Sequence, residues 1–270
     1  MTGRRVALVS GGGRGIGRAV SLALAAGGFD VAINYRRDDA AAQQTAEDVR
    51  ALGAKASLHA ASVEDPDQDA EMVAAVVAEH GRLDGLVHCA GNASRGNYVV
   101  DTDPNELGKL FGVHAAAAHH LCRLTVPHLR EQGRGDVVLI SSIVSQSTRP
   151  GMAPYVMAKA ALEILAVTLA MEERPHNIRV NTVAPGLVAT EMGDRLIRAT
   201  QGRDKAADLD EVAPFGRVCR PEDIASVVAF LMSDGGGYVT GQRIAVDGGE
   251  SWGWWGPPVP GGSTKEEGTP

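Results

Sequence analysis

Arg5-Val6-Ala7-Leu8-Val9-Ser10-Gly11-Gly12-Gly13-Arg14-Gly15-Ile16-Gly17 decides the fold. A short apolar run breaks into glycines, and a helical pattern starts at once. Glycines let the backbone turn tightly and let a pyrophosphate approach a helix N-terminus, where unpaired N–H groups and the helix dipole favour an anion. The spacing of Gly11, Gly15 and Gly17 is wider than GxGxxG. It fits TGxxxGxG with Ser10 in place of Thr. A glycine cluster alone is weak evidence; its place between a first strand and a first helix makes it a nucleotide turn.

Working outward, six further β-rich runs follow: Asp30–Tyr35, Lys55–Ala60, Leu83–Cys89, Asp136–Ser141, Ile178–Ala184 and Arg243–Val246. Most are continuously apolar, as strands covered on both faces must be. Helical patterns lie between them, near 15–27, 39–52, 67–80, 104–131, 154–174 and 221–232. Alternation of this kind predicts one doubly wound α/β domain, with a Rossmann-like parallel sheet of about seven strands and helices on both faces. Residues 1–250 form this domain in the reading. The segment 251–270 is a Trp-rich stretch (Trp252, Trp254, Trp255) followed by a flexible Gly- and Pro-rich tail.

The chain has 270 residues, 44% hydrophobic and 22% charged, which suits an ordinary globular protein. A net charge of -7 disfavours nucleic acid, whose phosphates demand a basic surface. The apolar run at the N-terminus is too short for a signal peptide or a membrane span. Cys89, Cys122 and Cys219 are odd in number and far apart, so neither a disulfide framework nor a metal site is expected, and a reducing cytoplasm is the simplest compartment.

Charge also bears on the cofactor. In a dinucleotide fold the end of the second strand meets the adenosine ribose, and an acid there holds the 2′-hydroxyl. Here that strand ends Asn34-Tyr35-Arg36-Arg37, with no carboxylate before Asp38. Arg14 lies in the glycine turn on the same side. Two guanidinium groups can clamp a 2′-phosphate, which favours NADP over NAD. The competing reading is a solvated arginine pair at a strand end.

Tyr155 and Lys159 are i and i+4, on one face of a helix that Pro154 helps to start. A phenol titrates near ~10, too high for proton transfer at neutral pH. A neighbouring ammonium and a helix N-terminus should lower it. Ser142 closes the strand Val-Val-Leu-Ile-Ser-Ser, at the carboxyl edge where open α/β sheets bind ligands.

The arrangement resembles the classical short-chain dehydrogenase/reductase family, and within it the 3-oxoacyl-[acyl-carrier-protein] reductases. The resemblance runs from about Arg4 to Gly249 and includes the glycine turn, Cys89-Ala90-Gly91, Ser142 with Tyr155xxxLys159, Asn181, Pro185-Gly186 with Thr190, Arg217 and Val246-Asp247-Gly248-Gly249. It implies NADPH-dependent reduction of a ketone: a 3-oxoacyl thioester or a related polyketide, steroid or quinone-type carbonyl. Ser142 would hydrogen-bond the carbonyl, Tyr155 donate the proton, and Lys159 bind the nicotinamide ribose. Gly11, Arg14, Gly15, Ile16, Gly17, Tyr35, Arg36, Ser62, Val63, Ala90, Gly91, Pro185, Gly186, Val188 and Thr190, with Tyr155 and Lys159, would line the NADP(H) site. The implied assembly is a homotetramer built on the helices at 104–131 and 154–174. An acyl carrier protein, if it is a partner, needs basic residues beside the site, for which Arg130 and Arg134 are candidates. Substrate contacts are expected from Asn92–Val100 and from Leu187 to about Phe215, with Met152, Leu187, Met192 and Leu196 giving apolar surface.

Four positions depart from the family. Ser10 keeps a hydroxyl. Ser62 stands where an Asp meets adenine, and Cys89 replaces a structural Asn. His114 takes the place of the Asn that holds a proton-relay water in a catalytic tetrad. Three readings of His114 stand: it holds the water as a neutral ring, it titrates near ~6.5 as a relay itself, or it is inert packing. His119 and His120 read as ordinary helix residues. Two other functions compete with ketone reduction: oxidation of a small hydrophobic secondary alcohol with NADP, and a catalytically retired NADP-binding regulator. Retention of Ser142, Tyr155 and Lys159 speaks against the last.

Overall fold

The computed structural model describes residues 3–213 and 215–252. Trp254, Trp255 and the expected tail lie outside the described residues. Seven parallel strands form one sheet in the order β3-β2-β1-β4-β5-β6-β7. They are β1 (Arg5–Ser10), β2 (Phe29–Tyr35), β3 (Ala56–Ala60), β4 (Gly85–His88), β5 (Gly135–Ile140), β6 (Ile178–Pro185) and β7 (Arg243–Val246). The order reverses at β1, whose neighbours are β2 and β4. A crevice opens at the carboxyl ends of strands flanking such a reversal. The glycine turn after β1 and Cys89-Ala90-Gly91 after β4 both border it.

The described residues form the helices α1 (Gly15–Ala26), α2 (Asp39–Ala51), α3 (Pro66–His80), α4 (Pro104–Phe111), α5 (Ala117–Glu131), α6 (Ala153–Glu173), α7 (Glu191–Gln201) and α8 (Pro221–Met232). The strands' period of two sends alternate side chains to opposite layers. Leu8, Leu86, Val137, Leu139 and Val180 meet α3, α5 and α6 through Met72, Val76, Leu121, Val126, Leu162 and Leu169. Val9, Val87, Val138, Ile140 and Val183 meet α1, α2 and α8 through Val20, Leu24, Val49, Ile224, Val228 and Leu231. Both faces are dry, which explains the continuously apolar strands. Each large side chain buried this way contributes about 1.5–3 kcal/mol.

The long helix expected at 104–131 is interrupted. Between α4 and α5, Gly112–Ala116 forms one π-helical turn, and it carries His114. One helix was missed altogether. α7 is highly charged, but its ends follow the rules: the Thr190 hydroxyl accepts from the Gly193 N–H, Glu191 and Asp194 occupy the first turn, and Gly202 closes it in the left-handed region. Ala153–His176 has the length and apolarity of a membrane-crossing helix. Its inner face, Leu162, Ala166 and Leu169, packs into the core.

Asp69 on α3 is fully buried, and neither carboxylate oxygen has a hydrogen-bond partner among the described residues. Burial, aided by Asp65, pushes its pKa up to about 7. Because that is above the unfolded value of about 3.9, folding favours the protonated acid. The penalty is absent below the unfolded pKa and complete above the folded one. Asp69→Asn should therefore raise Tm by about 3–8 °C at pH 8 and by less at pH 5, as measured by calorimetry. Equal Tm values for both proteins at both pH values would contradict this.

Candidate active site

The glycine turn brings Gly11 against the backbone of Ala90, joining the ends of β1 and β4. Arg14 is the N-cap of α1, but no side chain caps that helix and its first turn holds no acid. Its first N–H groups therefore remain available for an anion, and Gly15, at φ +54°, takes a conformation that larger residues avoid. The donor set suits a dinucleotide diphosphate. Thr190, from the loop after β6, lies beside Gly15. Pro185 ends β6, Gly186 lies beside Asp247 and Glu250, and Val188 is buried and bridged to Cys219.

At the expected adenosine end, Tyr35 closes β2 and Val63 is buried in the α3 layer next to Ser62. The Ser62 N–H donates to the Gln68 side chain. The two arginines are already engaged, which the sequence had not indicated. Arg36 bonds Glu64 at 3.0 Å, and Arg14 bonds Glu191 at 2.9 Å with Asp38 at 3.9 Å.

Ser142, Tyr155 and Lys159 converge at the carboxyl end of β5. Ser142 follows the strand and precedes a 3-10 turn, Ile143–Ser145. Its hydroxyl has only distant backbone partners, Pro185 O and Val144 N–H, each at 3.5 Å. Its proximity to the Tyr155 phenol opposes the effect of burial on that group. Lys159 lies one turn along α6, buried, with Nζ 5.6 Å from the Tyr155 ring and donating to Ile140 O at 2.7 Å. Burial reverses the expected tuning. The phenol is pushed up to about 12 and the ammonium down to about 7, where Cys89 and Glu163 oppose its fall. A dry site penalises both charged forms, and that exceeds any mutual adjustment across this distance.

His114 joins the group. It is buried, its ring meets Tyr155 edge-on at 5.2 Å, and Nε2 lies 2.8 Å from Asn92 O. A carbonyl only accepts, so Nε2 carries the proton and Nδ1 presents a bare lone pair, which has no partner among the described residues. Desolvation and the Lys159 ammonium push its pKa down to about 2. That direction favours a neutral ring over a relay titrating near neutrality. Gly91 is required beside it, since a Cβ there would lie 2.3 Å from His114 Cε1.

His88 was not foreseen. It ends β4, fully buried, directly across from Ser10 in the parallel register. Its Nε2 donates to Val113 O at 3.2 Å, so Nδ1 accepts from Ser10 Oγ at 2.8 Å, and Ser10 in turn accepts from the Ala90 N–H. This chain ties the glycine turn to the π turn that holds His114. Glu106 on α4 was missed too: it accepts from Ser94 Oγ and the Arg95 N–H and pins the loop after Gly91.

Arg130 and Arg134 are corrected. Arg130 makes a two-pronged pair with Glu173 at the end of α6, and Arg134 pairs with Asp234 just before β5 begins. Both sit at the amino edge of the sheet, a strand's length from Ser142, and so not beside the cleft of the same subunit. His119 is exposed and forms an edge-on pair with His120. No group of three metal-ligating side chains exists among the described residues.

Residues 11–251 match the family described as Enoyl-(Acyl carrier protein) reductase. The chain is 35% identical over 243 residues to the 3-oxoacyl-[acyl-carrier-protein] reductase FabG of Staphylococcus aureus, covering 90% of this chain and 96% of that one. The chain belongs to the short-chain dehydrogenase/reductase family. It is therefore an oxidoreductase of a group that works with nicotinamide cofactors. Solved structures agree with this placement. Acetoin dehydrogenase YohF from Salmonella typhimurium superposes with a TM-score of 0.81 at 31% identity, over 91% of this chain and 96% of that one. Carveol dehydrogenase from Mycobacterium avium, solved in complex with NAD, gives 0.83 at 28% identity, over 92% and 98%.

Proposed function

We propose that the chain is an NADPH-dependent ketone reductase with Tyr155 as its proton donor. The observation that carries this reading is the convergence of Ser142, Tyr155 and buried Lys159, whose Nζ lies 5.6 Å from the Tyr155 ring and donates to Ile140 O at the carboxyl end of β5. A bound NADPH would supply the hydride. The first turn of α1 would hold its diphosphate, Arg14 and Arg36 its 2′-phosphate, and Lys159 its nicotinamide ribose. Ser142 Oγ, lacking any close backbone partner, donates to the substrate carbonyl oxygen. The Tyr155 O–H donates to the same oxygen and releases its proton as negative charge develops there. A phenol held neutral to about 12 is in the form a reductase needs. Alcohol oxidation would start from the phenolate, which burial opposes. His114, neutral with Nδ1 bare, accepts a hydrogen bond from a relay water next to Tyr155.

The substrate class follows from the cleft walls. Met192 and Leu196 on α7 are exposed, and so are Tyr98, Val99 and Val100 on the loop after Gly91. These surfaces suit an apolar ketone or the acyl chain of a 3-oxoacyl thioester. Self-association into the family's tetramer has a surface ready for it. Met157, Ile164 and Met171 recur every seven residues along the outer face of α6 and are all exposed.

The test is NADPH oxidation with acetoacetyl thioesters, decalones, steroids and quinones as acceptors; no oxidation with any of them would favour the retired-regulator reading. The pH profile adds a second check. Lys159 is depressed from its usual value to about 7, so its ammonium is present below that pH and lost above it. kcat/KM for NADPH, which reports the cofactor-free enzyme, should be level from pH 5 to about 7 and then fall by up to about tenfold per pH unit. An ascending limb between pH 5 and 7 would mean that a histidine titrates in the site.

A further inference from the structure

Tyr155 and Lys159 have a third member on their stripe of α6. Glu163 lies one further turn along, and its side chain is largely buried. Its Oε1 accepts three hydrogen bonds: from Ser141 Oγ at 2.7 Å, Ser145 Oγ at 2.6 Å and Arg243 Nε at 2.8 Å. Arg243 opens β7, and its other arm donates to Ser142 O at 3.2 Å and Ser145 Oγ at 3.3 Å. Ser145 Oγ lies 2.8 Å from Ser142 O as well, so its single proton is shared between that carbonyl and Glu163. The main chain of Ser142 is thus gripped from behind by α6, β7 and its own 3-10 turn, while its hydroxyl is left to the cleft.

We propose that Glu163 and Arg243 form a positioning pair that orients Ser142 and sets the charge state of Lys159. The proposal rests on the assignment of Ser142, Tyr155 and Lys159 given above. A hydroxyl whose two backbone contacts are both 3.5 Å long is not oriented by them; its direction is inherited from a main chain held by this brace. The electrostatic part follows from who faces Lys159. Around its ammonium stand the Ile140 carbonyl from β5, His88 from β4 and Cys89 just after it, His114 from the π turn, and Tyr155 and Glu163 from α6 itself. The histidines are neutral, and the thiol is held protonated by burial. Glu163 is the carboxylate of the set, and the Arg243 guanidinium tempers its field.

Two substitutions act in opposite directions. Glu163→Gln keeps the shape, removes the negative charge and leaves Arg243 uncompensated, so Lys159 loses its proton more readily. Arg243→Gln removes the cation and leaves Glu163 unscreened, so Lys159 holds its proton longer. In purified, folded full-length enzyme, the basic limb of kcat/KM for NADPH should move down by about half a pH unit or more in Glu163→Gln and up by a similar amount in Arg243→Gln. Turnover should fall about tenfold in both, with NADPH dissociation constants within about twofold of wild type. Ser145→Ala, which removes one strut and no charge, should lower turnover without moving the limb. A merely structural brace would give losses with no shift, or shifts of the same sign, and either result overturns the proposal. Should Glu163→Gln not fold, the upward shift in Arg243→Gln decides alone. Tyr155→Phe separates the two levels of argument. If it stays active, the site assignment fails; if it is dead while Glu163→Gln and Arg243→Gln keep the wild-type limb, only the positioning pair fails.

Discussion

Tyr155→Phe is expected to lower turnover of ketone reduction by about 10²–10⁴-fold, while the dissociation constant for NADPH stays within about twofold. The size follows from the lack of any substitute acid. The Ser142 hydroxyl polarises the carbonyl but has too high a pKa to release its proton. The single proton on the His114 ring is committed to Asn92 O, and its other nitrogen can only accept. Lys159 donates to Ile140 O and points along the strand end. Phe conserves the ring's edge-on contact with His114, so the loss measures the hydroxyl and not the packing. Stopped-flow NADPH oxidation beside fluorescence titration of the cofactor separates chemistry from binding. Residual turnover above a tenth of wild type would mean that the proton comes from elsewhere.

The fold was legible because its physics is local. Val6 to Val9 and Val137 to Ile140 are apolar without interruption, and that pattern means a strand with helices on both faces. Ser142, Tyr155 and Lys159 were legible because spacing along one strand end and one helix face places them. What stayed hidden depends on register and burial. His88 reads as a core histidine until the parallel pairing sets it opposite Ser10. Arg243 reaches Glu163 across eighty residues of sequence only because β7 pairs with β6. The π turn at His114 adds one residue to a helical repeat, a change that periodicity over 104–131 blurs. The direction of the Tyr155 shift was misjudged for a related reason. A sequence shows that an ammonium lies one turn away but not how dry the space between is, and here desolvation dominates. Charge competition was equally invisible: Glu64 and Glu191 come from different elements than the arginines they hold.

That competition makes the cofactor preference a sharp test. Arg36 and Arg14 each hold a carboxylate in exposed pairs, worth about 0–1 kcal/mol apiece, so a doubly charged 2′-phosphate can displace them. Arg36→Asp removes one clamp and places an acid where an NAD ribose 2′-hydroxyl would be held. It should lower kcat/KM for NADPH at least about 100-fold and raise that for NADH, so that NADH becomes the better cofactor. Glu64→Gln acts the other way. Freed from its carboxylate, Arg36 is available to the phosphate without first breaking a pair, and KM for NADPH should fall about two- to fivefold with NADH unaffected. Carveol dehydrogenase, which superposes on this chain with a TM-score of 0.83, was solved in complex with NAD, so the proposed preference for NADPH rests on these side chains and not on the sheet. If wild type used both cofactors equally and neither substitution changed their ratio, the arginines would be ordinary solvated pairs, and the phosphate would have no assigned partner.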